Sequence, residues 1–254
     1  MKKSKKNTIC IIPARENSKR VKNKNLLKIN GKKLCEYPLI AATKSEYTKS
    51  IYVTTDCPKI KKISQKYKAT IIERPKILCN SSALGENVYE HGYFEIKKDL
   101  EKKSKKIELI VLLMANSATV TWKMIDKGIK FLRRNKSFDS AVSTSVYNMW
   151  SPLRARKLKK DGSLKPFVKF EYFGNPKTLN CDRDSQGDVY YADMSVSVVR
   201  PRCLDNLKKG LLPQKWMGKR IAPIKSFAGF DIDYDWQTPL LEYRLKKNGF
   251  NFKK

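Results

Sequence analysis

Histidine is nearly missing from this chain: His91 is the one copy in 254 residues. The six cysteines, Cys10, Cys35, Cys57, Cys79, Cys181 and Cys203, stand far apart with no C-x-x-C pair. Both shortages argue against a zinc site, and several cysteines in apolar runs read as reduced core residues. Long hydrophobic runs are missing too. The strongest, "IELIVLLMA", falls well short of the ~20 residues that a membrane helix needs. The apolar stretch behind the basic start "MKKSKKNTICIIPAR" is cut by Pro13, too soon for a signal peptide. A soluble, cytoplasmic protein without a membrane partner is the expectation. Neither G-x-x-x-x-G-K-[ST] nor G-x-G-x-x-G occurs, so bound phosphate would be met by side chains rather than a glycine cradle. Acids are scarce as well, 24 against 55 Lys and Arg, for a net charge of +31.

Such a charge invites a nucleic-acid reading. The lysines, however, run from Lys2 to Lys254 with acids among them, mostly in segments patterned as exposed helix. No aromatic–basic stacking surface or recognition helix stands out. A hydrophobic content of 41% with 10% aromatics is that of a globular protein. With no internal repeat and no linker, residues 1–254 read as a single domain.

Short β-rich runs alternate with helical patterns. Strands are expected over 8–14, 50–56, 69–75, 107–117, 140–147 and 188–201. Helices are expected over 33–46, 58–68, 85–103, 121–135 and at the end of 226–249. This alternation predicts an α/β fold: a three-layer, mostly parallel, mixed sheet with helices on both faces. Between 150 and 186 the rhythm fails, and "KKDG" within it reads as a hairpin turn. That excursion carries Phe167, Phe170, Tyr172 and Phe173, more aromatic surface than a free loop should expose. It is expected to act as a dimer arm in a homodimer, with a lid folded onto its own subunit as the alternative.

Ligands of parallel sheets bind at the carboxyl ends of the strands. The first strand ends there in "PARENSKRVKNKN" (13–25), which packs Arg15, Lys19, Arg20, Lys22 and Lys24 among turn formers. A cation-lined loop in that position suits phosphate. Far away in the chain, "GFDIDYD" places Asp231 and Asp233 two apart. In an extended segment both carboxylates face one point while Ile232 turns inward, and Asp235 is placed to cap the helix that follows.

"PARENSKRVKNKN" resembles the opening motif P-A-R-x-x-S-K-x-x-x-x-K-N of the cytidylyltransferases that activate acidic sugars, the CMP-N-acylneuraminate synthetases and their relatives. The resemblance continues through "NGKKL" (30–34), "VTTD" (53–56), "ERP" (73–75) and "DSAVS" (139–143) to "DIDYDWQTPLLEY" (231–243). It implies a nucleotide-diphospho-sugar transferase-like fold and transfer of CMP from CTP to the anomeric hydroxyl of a sugar acid, with release of pyrophosphate. It also implies that Arg15, Lys19 and Lys24 act on the triphosphate and that Ser18, Asn25, Arg74 and Ala83 complete the nucleotide site. Asp231 and Asp233 would hold Mg²⁺ (or Mn²⁺). On the sugar side the resemblance points to Asn116, Ser117, Arg154 and Arg183. Met114 stands where the family has a glutamine, and Asp193 where it has an asparagine, which leaves the identity of the sugar open. Two further readings stay open: a nucleotidyltransferase of the same fold using another sugar or nucleotide, and a basic nucleic-acid-binding protein.

Overall fold

The computed structural model describes residues 6–247 apart from 17, 19, 20, 81, 82 and 181, so Lys19 and Cys181 lie outside the described residues. The first strand, β1 (Lys6–Pro13), shows how the layers arise. Cys10 and Ile12 pack on one face of the sheet with Val53 and Val111, and Ile9 and Ile11 on the other with Ile110 and Leu112. Successive side chains of a strand point to opposite faces, so a run that is apolar throughout is buried on both. Each such side chain removed from water stabilises the fold by about 1.5–3 kcal/mol.

After β1 come the hairpin β2 (Lys28–Ile29) and β3 (Lys32–Lys33), α1 (Glu36–Lys44), β4 (Ser50–Thr55), α2 (Pro58–Lys66) and β5 (Thr70–Glu73). Next are α3 (Gly85–Lys102), β6 (Lys106–Leu113), α4 (Trp122–Arg134) and β7 (Ser140–Val146). The chain then forms β8 (Arg156–Leu158), β9 (Leu164–Pro166), α5 (Arg183–Gln186), β10 (Tyr190–Val199), α6 (Pro201–Asp205), β11 (Ile221–Lys225) and α7 (Gln237–Lys247). Seven strands make one sheet in the order β11-β7-β10-β6-β1-β4-β5. Only β10 runs antiparallel to its neighbours, β6 and β7. Helices α1, α2 and α4 cover one face, and α3 and α6 the other. This is the expected mostly parallel, mixed sheet with helices on both faces.

Three departures from the predicted elements have local causes. The helix expected from residue 33 starts at Glu36, because Asn30 and Gly31 adopt φ of 45° and 86° and turn the chain into a tight hairpin first. The strand expected to reach residue 117 stops at Leu113. Strand β11 was not predicted: Pro223 breaks its sequence signal, but β11 pairs only with β7 at the sheet edge, where proline is tolerated.

On α4, Thr121 caps the helix by accepting from Met124 N at 3.3 Å. Ile125, Ile129 and Leu132 face the core, while Lys123, Lys127, Lys130 and Arg134 face water. Much of the positive charge is therefore a solvated helix face. The "KKDG" turn is realised between β8 and β9, with Gly162 at φ 80°. Phe167, Tyr172 and Phe173 of this excursion are exposed, Tyr172 by 78%. Cys10, Cys35, Cys57, Cys79 and Cys203 are free thiols. Among the described residues no helix is long and apolar enough to cross a membrane.

Candidate active site

Strands β1, β4, β5 and β6 run parallel, so their carboxyl ends share one rim. A cavity of about 580 Å³ opens there. Arg15, Ser18, Lys24 and Asn25 line it from the loop after β1, Arg74 from the segment after β5 and Ala83 from the approach to α3. Asn116 joins from the loop after β6, and Asp231 and Asp233 from the segment before α7.

Hydrogen bonds to backbone hold the cationic loop in place. Ala14 N donates to Thr54 O at 3.0 Å and Glu16 N to Asp56 Oδ1 at 2.9 Å. The Asn25 amide donates to Arg15 O at 2.9 Å, while Cys35 N donates to Asn25 O at 3.0 Å. Among the described residues, Arg15 makes one long contact, Nη1 to Asn80 O at 3.5 Å. The Arg74 guanidinium is buried and donates from Nη2 to Thr54 O at 2.7 Å. Burial lowers its pKa, and nearby Asp56 opposes that shift.

The two ends of the chain meet at the acidic segment. Lys24 Nζ lies 2.9 Å from Asp233 Oδ1, and Asn116 Nδ2 donates to Asp231 Oδ2 at 2.8 Å. Between the two carboxylates Ile232 is fully buried with Ala118 and Leu241, as the alternation requires. The expected cap at Asp235 is not formed by its side chain. Gln237 Oε1 instead accepts from Asp233 N at 2.6 Å and Tyr234 N at 2.8 Å, and the exposed Asp235 contributes only its backbone carbonyl, to Thr238 N. The glutamine at the helix start thus holds the acidic segment in front of it, binding N–H groups that precede the helix rather than those of its first turn.

Other expected site residues lie elsewhere. Ser117 is fully buried, its Oγ donating to Ser195 Oγ at 2.9 Å, because the turn after β6 points it into the sheet. Arg154 lines a separate depression within the excursion, beside Phe170 and Leu179. Arg183 falls in α5, with its side chain outside what the structure describes, and Lys19 lies outside the described residues.

Asp193 does not face the cavity. It sits buried where β10 breaks its register against β7, beside Met194 at φ 55°. Its carboxylate accepts from Ser143 Oγ (2.5 Å), Ser145 Oγ (2.8 Å) and Ser195 N (3.0 Å). The two serines in turn accept from Val196 N, at the interrupted ladder, and from Gly229 N, in the segment after β11. Tyr89 and Trp216, by contrast, line the cavity without having been expected. Trp216 belongs to a run of short turns with no period, so no sequence pattern marks it.

Over residues 9–201 the chain matches the family model described as Cytidylyltransferase. The chain belongs to the cytidylyltransferase family. Members of this family are nucleotidyltransferases. This cytidylyltransferase is 37% identical over 185 residues to the N-acylneuraminate cytidylyltransferase of Escherichia coli O18:K1:H7, covering 73% of this chain and 42% of the relative. It is 27% identical over 152 residues to the Helicobacter pylori pseudaminic acid cytidylyltransferase and UDP-2,4-diacetamido-2,4,6-trideoxy-beta-L-altropyranose hydrolase, 59% of this chain and 28% of the relative. Over 63 residues it is 43% identical to the CMP-N,N'-diacetyllegionaminic acid synthase of Campylobacter jejuni, 25% of this chain and 27% of the relative. The matches thus span less than half the length of these curated relatives. Among solved structures, a CMP:2-keto-3-deoxy-manno-octonic acid synthetase complexed with CTP shares the fold at a TM-score of 0.67 and 13% identity, covering 95% of this chain and 99% of the other. The 4-diphosphocytidyl-2C-methyl-D-erythritol synthase of Anaerococcus prevotii shares it at 0.63 and 12% identity, covering 95% and 96%.

Proposed function

We propose that this cytidylyltransferase transfers CMP from CTP to the anomeric hydroxyl of an acidic sugar, a nonulosonic acid such as an N-acylneuraminate or a relative, and releases pyrophosphate. One observation carries the reading: a single cavity is lined by Arg15, Lys24, Asn25 and Arg74 together with Asp231 and Asp233, the last paired with Lys24. In-line attack on the α-phosphorus asks the protein mainly to position the triphosphate and to balance its charge. Arg15 offers a bidentate fork to phosphate oxygens, and Lys24 a point charge for the departing pyrophosphate. Arg74, braced on Thr54, is suited to hold the nucleotide with Ser18, Asn25 and Ala83. The names of the relatives matched support a sugar acid as acceptor.

Asp231 and Asp233 are fitted to hold Mg²⁺ (or Mn²⁺). Both carboxylates line the cavity, and among the described residues no group of three or more His, Cys, Asp or Glu is assembled. Two carboxylates completed by phosphate oxygens and water are the coordination that Mg²⁺ commonly takes. When bound, the ion neutralises charge on the reacting phosphates.

A homodimer in which the 150–186 excursion reaches the partner is part of the same proposal. The exposed Phe167, Tyr172 and Phe173 support it, as does the adjoining Tyr147–Trp150–Tyr191 cluster, whose ring centroids lie 4.1 and 4.9 Å apart. Use of CTP and the free thiols of the five described cysteines suit a cytoplasmic setting.

The deciding experiment measures pyrophosphate release for the four nucleoside triphosphates against a panel of nonulosonic and ketodeoxy sugar acids. CTP with one sugar acid is expected to dominate. Far better use of UTP or dTTP with the same sugar would overturn the nucleotide assignment. Salt-sensitive nucleic-acid binding without CTP turnover would overturn the whole reading.

A further inference from the structure

Two uncharged amides hold the acidic pair. Asn116 Nδ2 donates to Asp231 Oδ2 at 2.8 Å, and Gln237 Oε1 accepts from Asp233 N at 2.6 Å and Tyr234 N at 2.8 Å. Each amide belongs to a segment that also packs on Ile232, the fully buried residue between the two aspartates. The turn after β6 supplies Asn116 and, two residues on, Ala118. Helix α7 supplies Gln237 and, four residues on and so on the same side, Leu241. Ala118, Ile232 and Leu241 share one apolar cluster, which sets the reach of both amides. The turn itself is fastened, with Ser117 N donating to Met114 O at 3.1 Å and Ser117 Oγ to Ser195 Oγ at 2.9 Å.

We propose that Asn116 and Gln237 are positioning residues that pre-form the Asp231–Asp233 pair for a divalent cation. The inference rests on the Mg²⁺ reading above. An amide N–H fixes a carboxylate through one oxygen and leaves its charge in place, whereas a lysine or arginine at the same point would offset that charge. Asp231 is held in this way, through Oδ2. Asp233 is held through its backbone N–H, a bond that engages neither of its carboxylate oxygens. Without the amides, each aspartate would be ordered only as the metal binds, and the entropy lost then would weaken the affinity.

The test titrates the full chain with CTP by calorimetry, once in Mg²⁺ and once in EDTA, with no sugar acid present. Wild type is expected to bind CTP more tightly in Mg²⁺. Asn116→Leu and Gln237→Met keep much of the side-chain volume but lose the donor and the acceptor. Each is expected to raise the Kd in Mg²⁺ about 10-fold and to leave the Kd in EDTA within about twofold, a split that general loss of structure would not produce. Gln237→Glu keeps an acceptor for both N–H groups and is expected to stay within about threefold of wild type in Mg²⁺. Unchanged binding in Mg²⁺ by either variant overturns the role of that residue, and equal weakening in Mg²⁺ and EDTA overturns positioning while the metal reading stands. A wild-type Kd that is the same in Mg²⁺ and EDTA overturns the metal reading and this inference with it.

Discussion

At the scale of single residues, the cationic loop and the acidic segment separate by how each side chain is held. Among the described residues Arg15 makes one long contact, so Arg15→Ala should leave the fold intact. Its turnover should fall by about 10²–10³, the usual loss when one preorganised charge contact is removed from such a site. Steady-state kinetics beside a thermal melt checks both halves, and near-normal turnover would place Arg15 outside the triphosphate site. Asp233 and Asp235 give a second contrast. Asp233 lines the cavity and pairs with Lys24, whereas Asp235 is exposed and caps nothing through its side chain. Asp233→Asn is expected to abolish most Mg²⁺-dependent turnover. Asp235→Asn should leave turnover unchanged and stability within about 0.5 kcal/mol. Greater damage from the Asp235 change would mean that the wrong carboxylates have been assigned.

Between elements, two aspartates fasten the sheet, Asp139 half-buried and Asp193 buried. Asp139 precedes β7 and accepts from Lys219 N (2.9 Å), Arg220 N (3.0 Å) and Arg202 Nε (2.7 Å). Burial alone would raise its pKa, but these donors outweigh it and hold the carboxyl below the ordinary aspartate range. A carboxyl whose pKa is depressed on folding adds stability above its unfolded value, about 3.9, and loses it as pH falls through the lower native value. Asp139→Asn should therefore destabilise the protein at neutral pH, on the order of 1–2 kcal/mol, and the difference from wild type should shrink in melts below about pH 3.9. Gly218, at φ 75°, is bound to this clasp, since a Cβ there would lie 2.5 Å from Asp139 Cβ.

Asp193 is the second fastening. It joins β7 and the break in β10 to Gly229, two residues before Asp231. Near it the buried Arg244 guanidinium has its pKa lowered by desolvation, with Tyr147 and Asp193 opposing that shift. Asp193→Ala would strip three donors of their acceptor inside the fold. A loss of roughly 3 kcal/mol or more is expected from chemical denaturation. A loss under about 1 kcal/mol would show that the serines find other partners.

For the molecule as a whole, the excursion and the charge decide behaviour in solution. The aromatic surface of 150–186 should be covered by a second copy, so sedimentation at high protein concentration should give a dimer, and a monomer there would count against it. The net charge of +31 is expected to act as general solvation, because exposed lysines such as those on α4 line a helix face packed against the sheet on its other side.

Local periodicity determined the layers. Ile9 to Ile12 alternate between faces, and α4 repeats its apolar residues at helical spacing, because each pattern depends only on near neighbours. The loop at 13–25 and the spacing of Asp231 and Asp233 were legible for the same reason, and the cavity holds the described residues that both were expected to bring to it. What only tertiary structure decided is which distant segments meet. Lys24 finds Asp233 across 209 positions, and Trp216 reaches the cavity from a stretch with no period. Ser117 and Asp193 went the other way: polar residues near the rim were turned inward, where a broken strand needed acceptors and donors. Strand order, strand ends and one register break set those meetings, and no run of neighbouring residues encodes them by itself.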